Sequence, residues 1–171
     1  MDLASYLRDV QDFPKPGIVF KDISPLLADP KAMRTCIQRM AKAIDGCAID
    51  RIAAVESRGF LFGLPLALEL DVGFTPIRKP GKLPWRTNRI EYSLEYGTDS
   101  LEIHQDGVHA GEKVVLVDDL LATGGTMKAG CDLVEGIGGV VTACVFAVEL
   151  AFLGGRAKLG GHRTEAVVVV D

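Results

Sequence analysis

Residues Val114 to Thr126 read VVLVDDLLATGGT, and no other stretch constrains the chain so strongly. Four aliphatic residues in a row make the short continuous apolar run expected of a strand buried on both faces of a parallel sheet. Two adjacent aspartates end that run. Carboxylates at the end of a buried strand are costly unless cations or hydrogen-bond donors meet them. Gly124 and Gly125, between Thr123 and Thr126, then turn the chain into a helix. The free N–H groups of a helix start, with the two threonine hydroxyls, form a cradle for a phosphate. No Gly-Lys-Ser/Thr follows, so this is not a Walker A loop, and the dinucleotide spacing G-x-G-x-x-G is absent. Paired carboxylates one phosphate-to-sugar length away suit the vicinal hydroxyls of a ribose. Together they read as a ribose 5-phosphate site. The plainer alternative is a strand-end acid pair followed by a capped helix.

The rest of the chain supplies neighbours for that strand. Arg51–Val55 (RIAAV) reads as a strand running directly into ESRG, and Val72–Ile77 as a strand running into RKPGK. Two more apolar runs, 139–148 and 166–170, follow later. Helices fall between them. Asp29-Pro30 is an N-cap followed by proline at the first helical position, and Met33, Ile37, Met40 and Ile44 recur at helical spacing up to Gly46. Residues 60–70 predict an apolar helix with Pro65 in or near its first turns, and residues 126–137 another helix. Residues 92–104 alternate about a glycine and predict a hairpin, with RKPGKLPWRTNR before them as a polar excursion. At the N-terminus, residues 3–11 predict a short amphipathic helix. The next segment, FPKPGIVFKDISPLL, predicts an irregular extended arm because of its prolines. The alternation of strand and helix predicts an α/β chain with a mainly parallel twisted sheet flanked by helices. At 171 residues without a dividing linker it reads as a single domain, 1–171, whose first 28 residues form the helix and arm.

In open parallel sheets, ligands bind beyond the carboxyl ends of the strands. DDLLATGGT, ESRGF and RKPGK all lie at such ends, so they are expected to share one edge. Arg58 offers a planar fork suited to a diphosphate. Arg78, Lys79, Lys82, Arg86 and Arg89 fall within twelve residues that contain no acid. With Pro80, Gly81 and Pro84 they suit a lid closing over phosphates and excluding water.

VVLVDDLLATGGT resembles the phosphoribosyl pyrophosphate (PRPP) signature of the type I phosphoribosyltransferases. ESRGFLFG, RKPGKLP, SLEYG and GIVFKDISP are together similar to the adenine-using branch of that family, in the family's order. The resemblance implies the type I phosphoribosyltransferase fold with a small N-terminal hood, and a reaction in which adenine and PRPP give AMP and pyrophosphate with Mg²⁺. It implies that Asp118 and Asp119 hold the ribose hydroxyls and that Ala122, Thr123, Gly124, Gly125 and Thr126 cradle the 5-phosphate. Glu56, Ser57 and Arg58 would form the pyrophosphate loop, with a cis peptide that is not at proline, joined by Arg78, Lys79, Lys82 and Tyr96. Glu95 would take or fix a proton of the base, with Arg58 as its catalytic companion. Val19, Phe20 and Lys21 would cover the base, Phe20 by stacking and the other two through backbone groups, since lysine stands where the family often has arginine. No protein side chains are expected to hold the metal on their own; Mg²⁺ would ride on PRPP oxygens. A homodimer is implied. An oxo-purine substrate, or a PRPP sensor without turnover, are the competing readings.

Composition narrows the classes further. A net charge of −4 argues against a general nucleic-acid binder. No apolar run reaches about 18 residues, so no membrane span is expected. Cys36, Cys47, Cys131 and Cys144 form no C-x-x-C pair and there are only three histidines, which argues against a zinc site. Reduced thiols and no apolar leader point to the cytoplasm. His104, His109 and His162 lie outside the motif blocks.

Overall fold

The structure, a computed structural model, describes residues 1–93 and 97–171. After a 3₁₀ turn at Ala4–Tyr6 come strands β1 (Arg8–Gln11) and β2 (Val19–Asp22), helices α1 (Ser24–Ala28) and α2 (Pro30–Ala43), and strand β3 (Arg51–Val55). Helix α3 (Gly59–Glu69), strands β4 (Gly73–Ile77), β5 (Thr87–Ser93), β6 (Thr98–His104) and β7 (Lys113–Leu121), and helix α4 (Gly125–Gly136) follow. Strand β8 (Val140–Leu150), two 3₁₀ turns (Ala151–Leu153 and Gly155–Leu159) and strand β9 (Thr164–Val170) complete the chain.

Strands β4-β3-β7-β8-β9 form a five-stranded, wholly parallel sheet. Both faces are covered, so its central strands read as continuous apolar runs. On one face Ile52, Ala54, Val115, Val117, Ala143 and Val145 pack with Phe62 and Leu66 of α3 and with Cys36, Ile37 and Met40 of α2. On the other, Ala53, Val55, Leu116, Cys144 and Phe146 pack with α4 and with Leu101 and Ile103 of β6. The alternation i, i+2 along each strand assigns these two sets. Among the described residues no helix is long and apolar enough to cross a membrane.

Several local expectations hold. Asp29 caps α2, accepting from the backbone N–H groups of Lys31 and Ala32 at 2.8 and 2.9 Å. The predicted hairpin is β5–β6, in antiparallel register from Ser93↔Thr98 to Thr87↔His104.

Others do not. Residues 3–11 form no helix. They make the 3₁₀ turn and β1, because β2 offers β1 a partner with matching charges. Arg8 reaches Asp22 (Nε–Oδ2 3.0 Å) and Asp9 accepts from Lys21 (2.6 Å) across the pair. The arm is therefore not wholly irregular: it contains β2 and the short α1. Pro65 sits in the middle of α3 rather than its first turns, where it cannot donate to the carbonyl four residues back. Helix α2 stops at Ala43, short of Gly46. The polar excursion ends early, since β5 begins at Thr87. Most consequentially, β7 does not end at Val117 but runs on through both aspartates to Leu121.

Candidate active site

The site begins where β7 outruns its neighbour. β3 pairs with β7 only as far as Ala54↔Val117, whereas β8 stays beside β7 up to Leu121↔Glu149. From Asp118 onward one flank of β7 has lost its strand partner. The loop Glu56–Arg58 and the start of α3 take that place. A Cβ on Gly59 would lie 3.0 Å from both Asp118 Oδ1 and the Val117 carbonyl oxygen, so α3 starts closer to the carboxylate than a side chain fits without displacing it. The Glu56–Ser57 peptide here is cis.

Arg58 forms an ion pair with Asp119 (Nε–Oδ2 2.9 Å), and Asp119 is only 3% exposed. The backbone N–H of Asp119 donates to Asp118 Oδ1 at 2.9 Å. Burial, then the neighbouring Asp119 carboxylate, pushes the Asp118 carboxyl well above the usual range. Burial raises Asp119 as well, opposed by the Arg58 guanidinium. The pair is thus short of positive charge and donors, which is the condition for recruiting hydroxyls from a ligand.

Two adjoining cavities share these residues. One, about 200 Å³, is lined by Arg58, the stretch Asp118–Met127 and Phe146. The other, about 310 Å³, is lined by Val55–Arg58, Lys79, Tyr92, Asp99, both aspartates and Thr126. The first is walled by the turn into α4. Gly124 is the N-cap of α4 with φ +82°, a conformation that favours glycine, and the first residues of the helix, whose N–H groups have no intrahelical partner, line the cavity. Ala122, Thr123, Gly124, Gly125 and Thr126 all line it, beside Asp118 and Asp119, as the sequence reading expects.

Of the remaining cations the second cavity takes in Lys79, whereas Arg78 and Lys82 line neither cavity. Glu56 Oε2 accepts from Arg78 Nε (3.1 Å) and from the Lys79 backbone N–H (2.6 Å), so its side chain anchors the strand end of β4. Lys79 pairs with Asp99 and lies 6.0 Å above the Tyr92 ring. Arg78 Nη1 donates to the Lys82 carbonyl at 3.3 Å, while the Lys82 side chain is exposed. Ser57 lines the cavity between Glu56 and Arg58. The hood reaches the same place: the Arg58 guanidinium lies 5.8 Å from the Phe20 ring centroid, and Phe13 meets Phe20 edge-on at 5.2 Å. Lys21 spends its amine on Asp9, while β2 has no strand on its other edge among the described residues. Val19 is exposed beside it. Glu95 and Tyr96 lie outside the described residues.

Sequence reasoning missed Tyr92 and Asp99. Tyr92 donates to Asp99 (3.3 Å) and accepts from Thr126 Oγ1 (3.4 Å), tying the hairpin to the first turn of α4. They face each other in the β5–β6 register, equidistant from the turn. The register that brings them together, with Ser93 opposite Thr98, is offset from Gly97, so the glycine in the sequence does not by itself lead to them. A more spacious groove, about 510 Å³, lies between α1, α2 and α3 and is lined by Leu27, Met33, Ile37, Pro65 and Leu68. It holds none of these groups. Charge and strand ends, not volume, locate the chemistry.

Residues 23–170 match the phosphoribosyl transferase domain family. The chain is 53% identical over 171 residues to the adenine phosphoribosyltransferase of Methanococcus maripaludis, covering 100% of this chain and 99% of that protein. The crystal structure of adenine phosphoribosyltransferase from Thermoanaerobacter pseudethanolicus superposes with TM-score 0.96 at 55% identity, over 98% of each chain. That of the Saccharomyces cerevisiae enzyme, complexed with adenine and an imino-altritol bisphosphate, superposes with TM-score 0.88 at 40% identity, over 95% and 94%.

The raised Asp118 carboxyl has a measurable consequence. The native state holds this proton more tightly than the unfolded chain, so stability falls as pH rises from the ordinary value of 3.8 through the raised one. Asp118→Asn keeps an acceptor for the Asp119 N–H and removes the buried charge. It is expected to raise Tm near neutral pH, with the gain fading as pH falls towards ~4. Thermal unfolding of both proteins across that range checks it; a variant no more stable than wild type at neutral pH contradicts the assignment.

Proposed function

The chain belongs to the phosphoribosyl transferase family, and we propose that its cleft transfers the 5-phosphoribosyl group of PRPP to adenine, giving AMP and pyrophosphate in purine salvage. One observation carries the reading. Two adjacent carboxylates, a glycine turn at the start of a helix and an arginine fork converge on one cleft at the carboxyl end of the sheet.

Each part then has a task. Asp118 and Asp119 accept from the ribose hydroxyls, whose donors offset the burial of both charges. The loop Ala122–Thr126 holds the 5-phosphate on backbone N–H groups and threonine hydroxyls. Arg58 keeps Nε on Asp119 and turns its remaining nitrogens to the diphosphate, joined by the backbone of Glu56 and Ser57 and by Lys79. The basic segment 78–89, with Arg78 and Lys82, closes over the diphosphate as a lid. As the bond from the ribose C1 to pyrophosphate breaks, charge flows onto the leaving oxygens beside these cations, and stabilising it there is the larger part of catalysis. The cationic sugar must meet the base and not water, which is the purpose of the lid and of the hood carrying Phe20. Val19 and Lys21 offer backbone groups on the unpaired edge of β2 to the rim of adenine. Glu95 accepts the ring proton of the base or fixes its tautomer, with Tyr96 near the ribose and pyrophosphate.

Magnesium fits a particular way. Among the described residues no three ligating side chains converge. The oxygen chemistry of the cleft suits a cation that keeps water ligands and arrives on diphosphate oxygens, as Mg²⁺ does. Bound there it would supply positive charge to offset that on the leaving group.

We further propose a single catalytic unit, 1–171, with residues 1–28 as hood, working as a homodimer in the cytoplasm. Leu61, Leu64 and Leu68 on α3 are 45, 48 and 75% exposed, an apolar stripe beside the groove that a second copy would cover. The acidic chain and unpatterned cysteines suit the compartment.

Three measurements test these readings. Pyrophosphate release is measured with PRPP and Mg²⁺ while offering adenine, guanine, hypoxanthine and xanthine in parallel, with a chelator control. Release with adenine alone, lost on chelation, is expected; release with an oxo-purine overturns the base assignment, and PRPP binding without release with any base leaves a sensor. Glu95→Gln is expected to lower kcat by roughly 10²–10⁴-fold with little change in the KM for PRPP; an undiminished kcat removes Glu95 from the proton transfer. Sedimentation should give a dimer that Leu68→Glu shifts towards monomer.

A further inference from the structure

The turn after β8 touches the phosphate loop backbone against backbone. A Cβ on Gly155 would lie 2.2 Å from the Ala122 carbonyl oxygen and 2.9 Å from the Leu121 side chain. A Cβ on Gly124 would lie 2.4 Å from the Gly155 carbonyl oxygen. Gly124 has its positive φ as a second reason to be glycine. Gly155 has none, since it does not adopt a positive φ, so contact alone excludes a side chain there.

The turn is held from behind. Arg156 grips Glu149 with a bidentate fork, Nε to Oε1 at 2.7 Å and Nη2 to Oε2 at 2.6 Å. Its third nitrogen donates to the Thr164 carbonyl of β9 at 2.5 Å. Glu149 is 4% exposed and belongs to β8, the strand that follows β7 to its end. A carboxylate so placed tolerates burial only with a geometrically matched cation. Leu159, fully buried under α4, closes the other end of the turn. None of these residues has a task in the reaction above.

We propose that Arg156, acting through Glu149, is a positioning residue: it presses Gly155 against Ala122 and Gly124 and thereby fixes the shape of the 5-phosphate cradle. The inference rests on reading Ala122–Thr126 as that cradle. Backbone donors hold a phosphate only when aimed at hydrogen-bonding distance, and a loop with adjacent glycines is conformationally slack by itself. The backbone contact removes the slack at the residues where the donors sit. The 5-phosphate is remote from the reacting C1. Misaligning its cradle therefore removes binding that ground and transition states share, and appears in the KM for PRPP before it appears in kcat.

Gly155→Ala tests the contact and Arg156→Lys tests the fork, since lysine keeps the charge and loses the bidentate geometry. Gly136→Ala is the control, because a Cβ there meets nothing. Ribose 5-phosphate is titrated calorimetrically, and KM for PRPP and for adenine, kcat and Tm are measured for all four proteins. The expected result is a rise of about tenfold or more in the ribose 5-phosphate Kd and the PRPP KM for Gly155→Ala, and a smaller one for Arg156→Lys. Adenine KM and kcat should stay within about twofold, with Gly136→Ala like wild type. If Gly155→Ala does not fold, Arg156→Lys decides alone. Wild-type phosphate affinity in the variants, or equal losses for both substrates tracking a fall in Tm, overturns the positioning role. A wild-type protein that does not bind ribose 5-phosphate overturns the cradle reading itself, a separate outcome.

Discussion

Beyond Val117, strand β7 has a partner on one side only. The backbone of Asp118 and Asp119 is still held in line by β8, while the flank abandoned by β3 is open to a loop, a helix start and a ligand. An aspartate on a free loop would scatter over many positions; here two are fixed by a sheet ladder and left with too few donors. The approach of α3 at Gly59 and the Arg58 ion pair with Asp119 both exist because that flank is vacant. The crevice is a mismatch in strand length, not a hole in the packing.

Arg58 joins parts of the molecule that the chain keeps far apart. It neutralises Asp119 and stands against the Phe20 ring of the hood. The guanidinium serves this purpose better than an ammonium, since it spreads its charge over a plane and leaves nitrogens for a second anion. Glu56 plays the reverse part, occupied by Arg78 and the Lys79 backbone. The loop thus presents one cationic group, Arg58, to the cleft and engages its own carboxylate with the residues that follow β4.

Much of the cleft was legible in the residues themselves. The apolar run, paired acids and threonine-flanked glycines locate the strand, the acid pair and the glycine turn that line the cleft without any tertiary information. The Asp29-Pro30 start and the existence of the β5–β6 hairpin follow from local chemistry alone. The errors share one cause. Residues 3–11 have an amphipathic spacing, yet pairing with β2 and two cross-strand ion pairs override it. Aspartates disfavour strand interiors, so the residues alone end β7 at Val117, and β8 outweighs that preference with a continued ladder.

The sequence by itself therefore determined the alternation of elements, the kind of chemistry and the residue types that carry it. These depend on short-range rules, namely apolar period, helix capping, turn glycines and the spacing of the paired acids from the glycine turn. Only the tertiary structure decided which groups meet. It brought Phe20 to Arg58, Tyr92 to Thr126 and Gly155 to Ala122. Those contacts depend on where strands end relative to one another, and relative strand length is a property of the assembled sheet that no single segment encodes.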